Sequence, residues 1–344
     1  MPQPDLKVSP PRALPPATPT GKAEPPMRPR MPFSTVRTFT DPDEYASGII
    51  AKSTELTVTK PGQFSAKLIQ IRLHELWLQR FWEKLSWVGH AATLTSRASI
   101  LFANTSGPPL YTGGLEMLPT NLMRLSLADF HMRRPNLASY AGMSLPAEDL
   151  AAVGEAMAGV DLAPPRDCLL VTPSPSAMIR LRQLHAAAGL LAEAAPEIIA
   201  HAEAARGLEQ ALIEVLVDCL SSCEGHENGF AQRQHSIVMS RFHRVIEENL
   251  EEPLYIPEIC KAIRVSARTL QMCCHEHLGM GPKRYLMLRR MHLARRALRQ
   301  AEPDATTVAA VAMRYGFWQL GRFAVEYRSL FGESPSATLG RQFA

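Results

Sequence analysis

One punctuation mark occurs twice in the last third of this chain. Leu278-Gly279-Met280-Gly281-Pro282 is echoed by Phe331-Gly332-Glu333-Ser334-Pro335, the same G-x-[GS]-P pattern 53 positions later. Each copy follows an apolar-periodic segment, a short break and a second apolar-periodic segment. Ahead of the first copy Ile256, Ile259, Cys260 and Ile263 recur at i, i+3, i+4, i+7, and ahead of the second Val308, Val311, Ala312 and Tyr315 do the same. That spacing is one face of a short amphipathic helix.

A tight break and another helix follow each of them. In the first copy the break is Arg264-Val265, and Ser266 is placed to cap the next helix by accepting from a free N–H of its first turn. Leu270, Cys274 and Leu278 then form an inward face. In the second copy Gly316 supplies the left-handed residue that ends a helix, and Leu320, Phe323, Tyr327, Leu330 and Phe331 form the inward face of the next. Two helices joined by so short a turn make a helix-turn-helix, whose second helix enters the major groove of DNA.

The run Gly316-Phe317-Trp318-Gln319-Leu320-Gly321-Arg322-Phe323, with Tyr327-Arg328, Phe331-Gly332 and Ser334-Pro335 behind it, resembles the second-unit signature of AraC/XylS-type transcriptional regulators. The first unit agrees through Ile259, Ala262, Ser266, Leu270, Gly279, Pro282, Tyr285, Arg290 and Ala294. Val265 to Gln271, Gly279 to Pro282 and Gly316-Phe317-Trp318 look most like the branch of that family containing the ethanolamine-utilisation regulator. The sequence departs from the pattern at Cys274, where the family has a core Phe, and at Met272 and Val325, where Arg is common. The resemblance covers about 110 residues. It implies a DNA-binding transcription factor, an activator that contacts RNA polymerase, with a jelly-roll-like effector domain ahead of the helices and a helical dimer interface.

With 344 residues the chain has room for two or three cores, and charged residues at 20% describe an ordinary globular protein. No run of 18 apolar residues predicts a membrane span, no secretory signal is evident, and six unpatterned cysteines suit a reducing compartment, so a cytoplasmic location is expected. Formal net charge is +4, yet residues 235–344 carry 16 Lys and Arg against 10 Asp and Glu. The positive excess therefore lies in the helix-turn-helix part, as a phosphate-contacting module requires.

Taken in order, residues 1–34 hold eleven of the 28 prolines and read as a disordered tail. Residues 35–172 read as a β-rich effector domain, an antiparallel sandwich or barrel. Asp41-Pro42 starts a helix. Glu55–Thr59 and Phe64–Leu68 suggest a hairpin around Pro61-Gly62, with a bulge between Leu68 and Ile69, and Ala98–Phe102, Leu110–Met117 and Leu122–Leu127 are further strands. Ser144 is placed to cap a helix. Residues 173–223 are helical, with one long helix from Ile198 through Cys219, serving either dimerisation or as a cover for the β-domain. Residues 224–234 read as a linker and 235–344 as the DNA-binding domain. The fold class is thus α+β, a β-sandwich followed by an all-α domain with two tandem helix-turn-helix units.

With Leu270, Cys274 and Leu278 facing in, Arg268, Gln271, Met272 and His275 face out. Arg reads guanine O6 and N7, Gln reads adenine N6 and N7, and an apolar side chain meets the thymine methyl. Arg268, Gln271, Met272, Gln319 and Arg322 are the expected base contacts. Ser266, Thr269, His275, Tyr327 and Arg328 are expected against the DNA backbone. Pro282 begins a long helix through Gln300 that holds the units rigidly apart; some of its arginines are candidates for phosphate, whereas Arg290 is expected inside, paired with a carboxylate.

Cys273-Cys274-His275-Glu276-His277 has the look of a metal box, but no second cluster completes four ligands, so no metal and no cofactor is expected. No Walker loop, G-x-S-x-G elbow or H-E-x-x-H is present, and no enzymatic activity is expected. The expected protein is a homodimeric regulator of double-stranded DNA that answers to a small-molecule effector or a partner sensed by its N-terminal domain. A ligand-independent architectural regulator with a purely dimerising N-terminal half is the alternative, and an enzyme–regulator fusion a more distant one, since only Cys168 precedes Cys219.

Overall fold

The computed structural model describes residues 32–105, 107–135, 137–221, 230–249, 254–302 and 306–340. The Pro-rich tail expected over 1–34 falls almost wholly outside them, as do residues 222–229 of the expected linker region. Chain order begins with strand β1 (Phe33–Phe39) and helix α1 (Pro42–Gly48). Asp41 caps α1 as its sequence suggests: Oδ1 accepts from the N–H of Asp43 at 3.0 Å and of Glu44 at 3.1 Å, satisfying two otherwise orphaned donors.

Ten strands follow: β2 (Ser53–Val58), β3 (Ala66–Arg72), β4 (Trp77–Glu83), β5 (Trp87–Ala92), β6 (Arg97–Ala103), β7 (Leu110–Thr112), β8 (Leu115–Met117), β9 (Leu122–Arg124), β10 (Phe130–Arg134) and β11 (Ala138–Pro146). Helix α2 (Ala147–Ala158) and strand β12 (Leu169–Val171) complete the β-domain. All pairings are antiparallel, and they build two sheets, β1-β3-β4-β11-β6-β9-β12 and β2-β5-β10-β7-β8. The expected sandwich is therefore present, but its wiring differs from the sequence reading. β2 and β3 do not form a hairpin: β2 pairs with β5 in the smaller sheet, while β3 pairs with β1 and β4 in the larger. The Pro61-Gly62 segment crosses between sheets instead of closing one.

Nor is there a bulge at Leu68–Ile69, because the register Leu68↔Phe81, Ile69↔Arg80 runs through unbroken. The adjacent apolar pair has another cause. Ala66 and Leu68 face the core between the sheets, whereas Ile69 and Ile71 face a helical layer, so both faces of β3 are buried. That layer is α3 (Pro175–Ala194), α4 (Pro196–Ala200) and α5 (Ala202–Ser221), whose Met178, Leu181, Ile199, Leu212 and Leu216 cover the outer face of the larger sheet. The single helix expected from Ile198 to Cys219 is broken at His201. Ser144 is a strand residue of β11, and α2 begins without a side-chain cap.

The C-terminal domain comprises α6 (Phe230–Glu248), α7 (Ile256–Ile263), α8 (Ala267–Leu278), α9 (Pro282–Gln300), α10 (Val308–Arg314), α11 (Leu320–Phe331) and α12 (Pro335–Leu339). Residues 230–234, expected in the linker, already belong to α6. Each unit has its own core. Phe242, Ile259, Ile263, Leu270, Cys274 and Tyr285 fill the first, and Met291, Leu298, Ala312, Phe323 and Tyr327 the second. Val88 of β5 also belongs to the first of these cores. The first unit is docked on the smaller sheet, whose outer face is supplied by period-2 alternation: Val88, His90, His131 and Arg133 point out where Trp87, Ala91, Phe130 and Met132 point in.

Candidate nucleic-acid interface

Short turns with one left-handed residue set each second helix against its first. Arg264 (φ 57°) ends α7, and Gly316 (φ 78°) lies between α10 and α11. Ser266 then caps α8, its Oγ accepting from Thr269 N–H at 3.0 Å and hydrogen-bonded to Thr269 Oγ1 at 2.8 Å. Gly279 (φ 69°) and Gly332 (φ 76°) close the two second helices in the same αL geometry, which accounts for the duplicated punctuation.

The structure places Arg268, Gln271, Met272 and His275 on the exposed side of α8, opposite the buried Leu270, Cys274 and Leu278. Gln271 donates to His275 Nε2 at 2.8 Å, so the two polar heads are held together on one turn. In the second unit Gln319, Arg322 and Arg328 are exposed, and Arg322 Nε donates to Glu326 at 2.7 Å. Among the expected contacts, Ser266 and Thr269 sit at the N-terminus of α8, where the helix dipole and free N–H groups favour a phosphate.

Tyr327 does not fit the expectation of a DNA-backbone contact. It is fully buried, and its hydroxyl donates to Thr338 Oγ1 at 2.8 Å inside the second core. The repeat explains why. An offset of 53 maps Ala267 onto Leu320, the first residues of α8 and α11, and so maps the core residue Cys274 onto Tyr327. The same offset maps Met272 onto Val325, the other position where Arg is common in the family, which is not among the expected base contacts. Val325 and Trp318 are each 71% exposed, large apolar side chains on the open face of the second unit.

Four arginines of α9, Arg289, Arg295, Arg296 and Arg299, are engaged by carboxylates. Arg295 Nη1 donates to Asp41 at 2.7 Å, Arg296 Nε to Asp43 at 2.8 Å, and Arg299 reaches Asp41 and Glu44. Arg289 pairs with Glu247 and Glu55. These are contacts to the β-domain or within α6–α9, so in this arrangement the charges are not free for phosphate. Arg290 has no carboxylate among the described residues. Its guanidinium lies over Phe317, 5.6 Å from the ring centroid, and Nε donates to Leu286 O. The carboxylate pairs fall to its neighbours because only they face the β-domain.

Histidines collect at the same junction. His90 and His243 stack with ring centroids 3.3 Å apart, and His131 stands edge-on to both at 5.0 and 5.5 Å. His90 Nε2 lies 2.7 Å from Asp129, and His235 Nδ1 2.6 Å from Glu276. Burial, with neighbouring cations second, holds His243 down to about 3, and burial with His235 holds His277 down to about 4. Burial likewise raises the Cys273 thiol to about 11 and the Cys274 thiol further, so neither is a ready thiolate. Among the described residues no group of three or more His, Cys, Asp or Glu is placed to hold a metal ion.

A helix-turn-helix domain model matches residues 259–341. The chain is 39% identical over 94 residues to the probable thc operon regulatory protein of Rhodococcus erythropolis, covering 27% of this chain and 28% of that protein. It is 38% identical over 101 residues to a XylDLEGF operon transcriptional activator of Pseudomonas putida, covering 28% of this chain and 32% of that one. Its C-terminal domain is a helix-turn-helix domain of the AraC/XylS type. The chain spans about a third of these relatives' length or less. The solved structure of the AraC-like transcriptional activator CuxR aligns over 83% of this chain and 100% of its own, at 16% identity and a TM-score of 0.40. Among the described residues no helix is long and apolar enough to cross a membrane.

Proposed function

We propose that this protein is a cytoplasmic, sequence-specific DNA-binding regulator of transcription that acts as an activator. The observation that carries the reading is the duplicated unit, in which each second helix buries one face and leaves a polar, cationic face open. Arg268, Gln271 and Met272 of α8 and Gln319 and Arg322 of α11 read bases, while Ser266, Thr269, His275 and Arg328 hold the DNA backbone. Val325 and Trp318 extend the apolar part of the second reading surface. Contact with RNA polymerase belongs to this reading, as does a homodimer through the helical layer, where Ile179 and Leu190 are exposed on one face of α3.

Control by a small effector is part of the same proposal. A cavity of about 70 Å³ lies between the sheets, lined by Ile50, Phe81, Leu101, Met132 and Arg97. That is room for a compact molecule, a single water needing about 10–15 Å³ of such space. An effector acts only through its difference in affinity for two arrangements of the domains, and the docked first unit supplies one of them. The test is fluorescence anisotropy of the full chain on duplex DNA across a salt series. Binding that weakens steeply with salt and distinguishes an operator from random duplex supports the reading; no binding at low salt removes it.

A further inference from the structure

A junction cleft of about 520 Å³ lies beside the histidines, between the smaller sheet and the end of α8. It is within the size range of small-molecule sites, about 300–1,000 Å³. Its charged lining has one sign. Lys60 and Arg133 come from the β-domain and Arg284 from the first turn of α9, His275 of α8 lies beside them, and among the described residues no carboxylate lines it. Among the described residues Lys60, Arg133 and Arg284 make no salt bridge, whereas Arg289, Arg295, Arg296 and Arg299 on the same junction are all paired. The Nε atom of Arg133 is buried without a hydrogen-bond partner, whereas Arg134 points the other way, into the sandwich, where its Nη1 donates to Tyr111 O and Thr112 Oγ1 and its guanidinium lies over Tyr140.

Two backbone features converge there. Gly281 is the N-cap of α9 and brings no side-chain cap, so the positive end of a 19-residue helix opens on the cleft. At Gly279 the Arg133 guanidinium lies so close that a Cβ would come within 2.7 Å of Nη1. Gly279 thus serves the αL turn and the approach of a cation from the other domain at once. Like charges gathered around a partly desolvated space cost free energy unless an anion joins them.

We infer that this cleft binds a phosphate-type oxyanion that bridges the β-domain and the first helix-turn-helix unit. Arg133 and Arg284 grip it from opposite sides with their planar forks, Lys60 adds a point charge, and the α9 N–H groups complete the cradle. An anion held there ties the position of α8 to the β-domain. Its phosphate belongs either to a free phosphorylated small molecule or to the backbone of bound DNA.

The test uses the full chain. Inorganic pyrophosphate is titrated at ionic strength held constant with chloride, and the thermal midpoint is followed. A saturable rise is expected for the parent and for Arg180→Gln, a change far from the cleft. Arg133→Gln and Arg284→Gln should each need at least tenfold more pyrophosphate for half the effect, with midpoints in its absence at or above that of the parent. Arg284 is exposed, so its substitution leaves the core intact. A second arm measures duplex affinity against salt without pyrophosphate. If the phosphate is that of DNA, each variant lowers the slope of log affinity on log salt by about one. If it is a free ligand, that slope is unchanged while the pyrophosphate shift is lost. No saturable pyrophosphate effect together with unchanged salt slopes overturns the site, as does an equal loss in Arg180→Gln. General DNA binding is read separately from the parent chain in the second arm.

Discussion

One carboxylate serves two domains: Asp41 Oδ1 caps α1, and Asp41 Oδ2 accepts from Arg295 Nη1 at 2.7 Å. Burial works to raise the Asp41 pKa, but the charges and hydrogen bonds of Arg295, Glu44 N–H and Arg299 outweigh it and hold the group below its ordinary 3.8. Both partners are nearly inaccessible, with side chains 7% and 10% exposed. Asp41→Ala therefore removes a cap, worth about 1 kcal/mol, and leaves a buried guanidinium short of a partner, which costs about 3–5 kcal/mol. Asp41→Asn keeps an oxygen for the cap and should lose mainly the second part. Denaturant unfolding of the two variants gives the comparison; equal, small losses would show that Arg295 finds other company in Glu333.

Arg268→Ala is expected to cost about 1–3 kcal/mol on the cognate duplex and to relax preference at one base pair. Arg299→Ala should behave differently, because Arg299 is engaged by Asp41 and Glu44. It should lower thermal stability while leaving the salt slope of DNA binding unchanged. Anisotropy titrations on cognate and random duplex separate the two; an equal loss on both duplexes for Arg268→Ala would mean that it reads no base.

Acid should loosen the domain junction. His243 and His277 are held to about 3 and about 4, below an ordinary histidine near 6.5. The separated domains therefore bind more protons than the docked ones between those values, and docking strengthens with rising pH across that window. The contribution is complete above about pH 7 and declines as pH falls below about 6.5. Around these rings lie His90, His131, His235, Asp129, Glu247, Glu276 and Arg289. Hydrogen exchange of β5 and β10 between pH 7.5 and 5.5 should show falling protection of their outer face, and His243→Gln should flatten that dependence.

Tyr327→Phe should cost stability and spare recognition. The lost hydroxyl leaves Thr338 Oγ1 with only its bond to Ser334 O, at 3.3 Å, a penalty of about 1 kcal/mol. A lowered salt slope in duplex binding would instead return Tyr327 to the DNA surface.

Spacing between the two half-sites should be strict. α9 has 19 residues, so it spans about 28 Å at 1.5 Å per residue, and with its flanking turns it brings the two reading helices to about one B-DNA repeat of 34 Å. Five base pairs inserted between the half-boxes should reduce affinity to that of one unit, and ten should partly restore it. Affinity indifferent to the five-pair insertion would mean that a single unit binds.

What the sequence determined by itself lies in short-range pattern. The 3.6-residue periodicity, the αL glycines at 279, 316 and 332 and the caps at Asp41 and Ser266 are local, because each depends on hydrogen bonds spanning a turn or two, and all of them stand in the structure. The exposed side of α8 followed from the same periodicity, whereas the burial of Tyr327 follows only when the two repeats are compared residue by residue. Pairing across distance was not legible. Whether β2 pairs with β3 or with β5 depends on which long loop closure is repaid by burial, and no local signal encodes that. β5 and β10 escaped notice because His90, His131 and Arg133 break their apolar pattern, and these polar residues make sense only as a face against α6 and α8. The junction belongs wholly to the tertiary structure. Asp41 and Arg295 are 254 residues apart, and only packing of the two domains decides that one half of their interface is neutralised and the other left cationic.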